Sequence, residues 1–535
     1  MPNETIPERL SRLDKADLTL NGLVRRHAVD RPHAPALSFE GRTWSYSDLD
    51  AEFAAAAMAL RASGIARGDR IACLAKNTAE FAFLWGGAAM IGAVIVPLNW
   101  RLAPSEIIDI LVDAEASALF IAAPFLALEA ELASGAARLR LIVHCEQSGP
   151  RGYRAWIAEH AGSAPVEPSC HNEDVAIQLY TSGTTGRAKG VLLTHRSVFW
   201  QRAASIAADV SWDSHGHDDV LLVSLTISHV GGLVTFARGF YSGGHVVLLR
   251  EFETGAVLDA VTKMGVSRVI AVPSTLQMLL RDPLIAQTDT SSVKILQYGA
   301  SPMPLDLLIE GLEVFGCEFV QVYGMTEMAG TVATLPPQDH DVAGNERMKS
   351  IGVPLPGVEM RITDGDDREV TVGTVGEIQV RARSMMSGYW KMPDETRKAI
   401  SPDGWLRTGD AGYMDKDGYF YLCDRIKDMI VTGGENVYPA EVERVLHAHP
   451  GVVEAAVIGV PDAQWGEAVK AVVVRQPDSD VSAEELVEHV RQHIARFKVP
   501  KSFDFVDELP RNSSGKVMRR QLREPYWVGM ERRIN

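Results

Sequence analysis

Short apolar runs alternate with longer helical patterns through the first two-thirds of the chain. Runs at 70–74, 93–97, 119–122, 139–143, 174–180, 220–225, 268–272, 294–297 and 318–322 have the length and bounding turns of strands. A helix is predicted around 49–63, starting at the N-cap pattern Tyr46-Ser47-Asp48-Leu49, and a second over 78–91. Such alternation predicts parallel sheet with crossover helices. Residues 81–100 are twenty positions without a charge, about the length a bilayer needs. Gly86, Gly87 and Gly92 interrupt them, Pro97 lies near their end, and Asn77 with Glu80 predicts a capping box just before. The stretch therefore reads as a buried helix turning at Gly92 into a strand, not as a membrane span.

Beyond about residue 434 the pattern changes to a compact α+β arrangement. Helices are predicted at 440–447 and 483–497, the second with Leu486, Val490, Ile494 and Phe497 on one face, and strands at 453–458, 469–475 and 502–505. The segment 421–434 between the two regions alternates charge and ends in Gly433-Gly434, which places a domain boundary there. The predicted fold class is α/β: a large N-terminal domain of parallel or mixed sheets with crossover helices, residues 1–426, then a small α+β C-terminal domain, 427–535.

At 535 residues the chain is too long for one core, which agrees with that division. A formal net charge of −16 with no offsetting basic block argues against a nucleic-acid partner. Five scattered cysteines without a Cys-x-x-Cys pair predict neither a disulfide framework nor a zinc site and fit a reducing, cytoplasmic setting. Residues 1–17 are polar and lack the apolar core of a signal peptide.

The chemistry concentrates in 179–195. Thr181, Ser182, Gly183, Thr184, Thr185, Gly186, Arg187 and Lys189 put hydroxyls, loop glycines and two cations between apolar runs. Glycine lets backbone N–H groups turn toward an anion, hydroxyls donate to phosphate oxygens, and the cations balance charge. A Walker A loop is excluded, because Lys189 is followed by Gly190 and a strand rather than by Ser or Thr opening a helix.

The run 180–190 resembles the signature loop of the adenylate-forming superfamily, which includes acyl-CoA synthetases, 4-coumarate-type CoA ligases, firefly luciferase and peptide-synthetase adenylation domains. Ala188 stands where the family usually has proline, which frees a φ angle that proline would fix. The resemblance extends over roughly 20–521, with further motifs in the family's order.

That resemblance implies the site. His229, preceded by Ser228 where the family often has Phe, would flank the carboxylate pocket. Gly299, Ala300 and Ser301 would lie between adenine and the acyl group. In Tyr323-Gly324-Met325-Thr326-Glu327, Tyr323 would stack on adenine, Gly324 and Met325 would adjoin the nucleotide and acyl group, Thr326 would contact phosphate, and Glu327 would hold Mg²⁺. Asp410 would bind both ribose hydroxyls and Arg425 would touch the ribose. Lys427 would be the hinge of a mobile C-terminal domain, Gly433 and Gly434 would come in beside CoA, and Lys516 would bridge carboxylate and α-phosphate. The implied activity is an AMP-forming acyl-CoA synthetase acting on a fatty or related carboxylic acid with ATP, Mg²⁺ and CoA. An aryl or 4-coumarate-type ligase is the alternative, and a non-catalytic nucleotide-binding protein a more distant one. Oligomeric state stays open, a homodimer among the options.

Overall fold

The computed structural model describes residues 4–181, 188–301, 303–425, 428–432, 435–462, 464–511 and 517–528, without the side chains of Asp424, Arg425 and Asn436. The chain divides into two compact units, Met1–Glu359 with Val380–Leu406, and Met360–Gln379 with Arg407–Asn535.

The first unit carries two large sheets. In one, parallel strands Leu141–Cys145, Ala116–Ala122, Arg70–Leu74, Val94–Leu98 and Val175–Thr181 are followed by antiparallel Lys189–Thr194 and the short Gly388–Tyr389. The other runs Arg42–Ser45, Pro35–Phe39, His245–Leu248, Val220–Val223, Arg268–Ala271, Ile295–Gly299, Glu318–Met325, Gly330–Leu335 and Val353–Pro354. Its central strands are parallel, while Gly330–Leu335 and Val353–Pro354 are antiparallel. The alternation in the sequence therefore predicts the centres of both sheets, and hairpins extend their edges.

The uncharged stretch 81–100 becomes the helix Ala79–Ile91, buried along nearly its whole length, and the strand Val94–Leu98. Its glycines have a packing reason. A Cβ on Gly86 would come within 2.1 Å of the Phe53 ring, and one on Gly87 within 2.6 Å of Ala56, so only glycine lets this helix lie against Tyr46–Ala62. Gly92 ends the helix in the left-handed conformation. Among the described residues no helix is long and apolar enough to cross a membrane.

The predicted Asn77–Glu80 capping box does not form. Thr78 is the N-cap, and Asn77 instead ties the two sheets together. Its amide donates to Leu225 O at 3.0 Å and Leu249 O at 2.9 Å, and its Oδ1 accepts from Ile227 N at 3.0 Å. Glu80 turns the other way and accepts from Glu146 N at 2.9 Å. Burial pushes its carboxyl up to about 7 despite that hydrogen bond. A carboxyl whose pKa is raised on folding weakens the fold as pH climbs from the unfolded value toward the folded one. Glu80→Gln, which keeps the acceptor, is expected to stabilise the protein more at pH 8 than at pH 5, by about 2 kcal/mol. Urea unfolding of both proteins at the two pH values checks this; an equal effect at both would refute it.

In the second unit, antiparallel Leu406–Met414 and Phe420–Arg425 pair so that Asp410 lies opposite Arg425. A further sheet orders Glu435–Val437, Ile430–Thr432, Gly466–Arg475 and Val452–Asp462, with Ser502–Phe505 parallel to Gly466–Arg475. Helices Pro439–His447 and Ala483–His493 supply Val442, Leu446, Leu486 and Val490 to its core. The second helix stops at His493 rather than reaching 497. Ile494 still packs on the core, but Phe497 sits in a 3₁₀ turn with 43% of its surface exposed.

Candidate active site

Strands Val175–Thr181 and Lys189–Thr194 pair antiparallel, with Thr181 opposite Lys189 in the ladder. A hairpin of this kind is unlike the strand-to-helix turn of a Walker A loop, as the sequence predicts. Ser182, Gly183, Thr184, Thr185 and Gly186 lie outside the described residues, as do Lys427, Gly433, Gly434 and Lys516.

Lys189 is largely buried and paired. Its Nζ donates to Glu395 Oε2 at 2.5 Å and stands 5.0 Å from the centre of the Tyr389 ring. The hydrogen bonds from Lys189 and Lys398 hold the Glu395 carboxyl down to about 2, so Glu395 stays a carboxylate near neutrality. Tyr389 faces the other way with its hydroxyl, donating to Glu327 Oε1 at 2.9 Å. The Glu327 carbonyl in turn accepts from Met386 N at 2.7 Å. Lys189 and Glu327, 138 positions apart in the sequence, thus meet through one segment that follows both.

Tyr389 and Glu395 carry no mark of their own in the sequence. The Gly-Tyr-Trp run and the Pro-Asp-Glu-Thr helix start at 393 are the signals that could have drawn attention to them. Among the described residues no three His, Cys, Asp or Glu side chains form a ready metal cage. A cation held by one carboxylate together with phosphate oxygens and water, the usual arrangement for Mg²⁺, needs none.

Two strand ends flank this group. Gly299 closes Ile295–Gly299, and a Cβ there would come within 2.2 Å of Val322 O on the neighbouring strand. Ala300 follows with φ +67°, a left-handed conformation that costs a non-glycine residue roughly 1–2 kcal/mol. Strain of that kind clusters at ligand sites. The strand Glu318–Met325 runs on through Tyr323, Gly324 and Met325, which the sequence assigns to a loop, because Gly330–Leu335 folds back and pairs with them. A Cβ on Gly324 would come within 1.9 Å of Gly330 O, so glycine is required where the two backbones meet. Thr326–Met328 then forms a 3₁₀ turn that places Glu327.

His229 is the N-cap residue of helix Val230–Ser242, and its Nε2 lies 3.5 Å from Asn99 Nδ2, at the end of Val94–Leu98. Buried Ser228 has its Oγ 3.1 Å from Thr226 Oγ1. Ser301 is exposed and Tyr323 half-buried.

In the second unit Asp410 is 3% exposed, and its N–H donates to Thr408 Oγ1 at 3.0 Å. Gly409 beside it has φ +71° and donates to Glu377 Oε1 at 2.9 Å. The ladder therefore brings together the two ribose candidates, Asp410 and the backbone of Arg425.

Comparisons with known proteins identify the family of the chain. Residues 24–390 match the family described as AMP-binding enzyme, and 441–516 its C-terminal domain. The fatty acid–acyl-carrier-protein ligase ScoC of Streptomyces coeruleorubidus is 40% identical over 509 residues, 95% of this chain and 96% of ScoC. Feruloyl-CoA synthase of an Amycolatopsis species is 38% identical over 94% of this chain and 98% of its own length. The crystal structure of ATP-bound MatB from Rhodopseudomonas palustris superposes with a TM-score of 0.85 at 32% identity, covering 96% of this chain and 99% of MatB. The chain belongs to the AMP-binding enzyme family and is an AMP-forming acid–thiol ligase of the acyl-CoA synthetase kind.

Proposed function

We propose that this enzyme joins a fatty or related carboxylic acid to CoA through an acyl-adenylate, with ATP and Mg²⁺. The observation that carries the reading is the meeting of Lys189, at the foot of the Ser/Thr/Gly loop, with Glu327 across Tyr389 and Glu395. A cation for phosphate and a hard carboxylate for a divalent ion are the two groups that attack on a triphosphate needs nearby.

The acid's carboxylate, ionised near neutral pH, attacks the α-phosphorus, and pyrophosphate leaves. No general base is needed; alignment and positive charge are. Lys189 and the loop 181–186 hold phosphate oxygens, with Thr326 beside them. Asp410 and Arg425 hold the ribose, and Tyr323, Gly324 and Gly299 frame adenine. His229, Ser228, Ala300, Ser301 and Met325 border the acid. Glu327 would hold Mg²⁺, which would supply positive charge for the departing pyrophosphate. The thiol sulfur then attacks the acyl carbon and AMP leaves. For that step the C-terminal domain turns about Lys427, removing Lys516 and bringing Gly433 and Gly434 beside CoA. The five cysteines are free thiols, which suits work in the cytoplasm.

A second reading concerns the thiol and the acid. ScoC is named for a carrier-protein acceptor and feruloyl-CoA synthase for an aryl acid, so both alternatives belong in the test. Pyrophosphate release is measured across fatty and aryl acids with ATP and Mg²⁺, with CoA, with a phosphopantetheinylated carrier protein, or with neither. Acid-dependent release that turns over repeatedly only with CoA is the expected result. Repeated turnover only with the carrier protein would overturn the choice of acceptor.

A further inference from the structure

The segment 386–396 has no part in the nucleotide contacts proposed above, yet it is fastened more tightly than a connecting loop requires. Gly388 and Tyr389 pair with Leu192 and Val191, on the strand that leads out of the phosphate loop. Tyr389 N donates to Thr396 Oγ1 at 2.9 Å, and Trp390 N to Gly190 O at 2.7 Å. The Trp390 indole donates to Asp113 O at 2.8 Å, and the Arg70 guanidinium lies 3.6 Å over its ring. Gly388, at φ +146°, passes so close to Thr396 that a Cβ would come within 3.0 Å of it. The backbone on both sides of Tyr389 is therefore fixed, and so is the point from which its hydroxyl reaches Glu327.

A carboxylate has two oxygens and rotates about its last bond unless something holds one of them. Tyr389 holds Oε1 at 2.9 Å. We propose that Tyr389 is a positioning residue, whose hydroxyl fixes Oε1 of Glu327 and so presents Oε2 to the divalent cation that accompanies the nucleotide. Lys189, paired with Glu395, stands with its Nζ 5.0 Å from the centre of the same ring. One rigid segment thereby orients the anion that holds the metal and neighbours the cation that holds phosphate. Hydrogen-bond partners of this outer kind typically change metal affinity 10–100-fold.

The inference rests on Glu327 being the metal carboxylate, and the experiment separates the two ideas. Binding of α,β-methylene-ATP is measured by calorimetry in the presence of Mn²⁺ and again in EDTA, for the wild type, Glu327→Gln and Tyr389→Phe, with thermal unfolding as a check on folding. The quantity read is the gain in nucleotide affinity that the metal confers. Glu327→Gln is expected to abolish most of it. Tyr389→Phe is expected to reduce it roughly tenfold while affinity in EDTA stays at the wild-type value. An unchanged metal-dependent gain in Tyr389→Phe, beside a collapsed one in Glu327→Gln, overturns the positioning role alone. Equal loss with and without metal in Tyr389→Phe overturns it too, in favour of simple packing. An intact gain in Glu327→Gln overturns the metal assignment and the positioning role with it.

Discussion

Lys516→Ala is expected to lose adenylation by roughly 10²–10³-fold, equivalent to about 2.7–4 kcal/mol of transition-state stabilisation. The reason is charge. A carboxylate approaching a triphosphate meets like charge, and a lysine placed between the two anions offsets the repulsion only while both are being brought together. Thiol attack on a finished acyl-adenylate has no such requirement. The same variant should therefore convert a supplied synthetic acyl-adenylate to thioester at close to the wild-type rate. Pyrophosphate release and thioester formation, measured separately, check the two halves. Equal losses in both would remove Lys516 from the adenylation step.

The second large effect is on stability. Asp213→Asn is expected to destabilise the first unit by about 3–5 kcal/mol, because it strands two buried guanidinium groups. Arg202 and Asp213 are 2% and 1% exposed in their side chains and lie 2.8 Å apart. Arg238, also buried, stands 4.0 Å from the same carboxylate and donates to Gln297 at 2.8 Å and Thr331 at 3.3 Å. Burial pushes the Asp213 carboxyl up, but the two arginines outweigh it and hold it ionised. His215, buried beside Arg202, is kept neutral, and its Nδ1 lies 2.9 Å from both Arg202 Nη1 and Asp213 O. One anion thus serves two cations. The double variant Asp213→Asn with Arg202→Met restores the balance of one excess cation, and is expected to be more stable than Asp213→Asn alone. Urea midpoints for the wild type, the two single variants Asp213→Asn and Arg202→Met and the double variant decide it, and simple additivity would refute the shared-anion account.

Neither Asp213 nor Glu395 stands out in the sequence, whereas Lys516 and Glu327 do. The difference is one of range. Lys516 and Glu327 sit in short motifs whose neighbours are a few positions away, and turn chemistry is encoded over such distances. Asp213 acquires meaning only when helix His195–Ala207 brings Arg202 to it and helix Val230–Ser242 brings Arg238. Asn77 shows the same limit from the other side. Its spacing to Glu80 satisfies a helix cap, yet the segments that follow strands Val220–Val223 and His245–Leu248 offer three backbone partners, and those win. Phe497 fails for a local reason: its apolar spacing continues the helix, but the chain leaves the helix after His493 and exposes it.

By itself the sequence determined the α/β alternation, the buried rather than spanning character of 81–100, and the family to which the chain belongs. These rest on periodicity and on residue types within a few positions of one another, which the backbone expresses locally. Only the tertiary structure decided that Asp410 faces Arg425 across a ladder, that Tyr389 holds Glu327, and that Glu395 holds Lys189. Strand register and sheet order set those pairings. They join positions separated by as many as 206 residues, and no local pattern encodes a partner at that range.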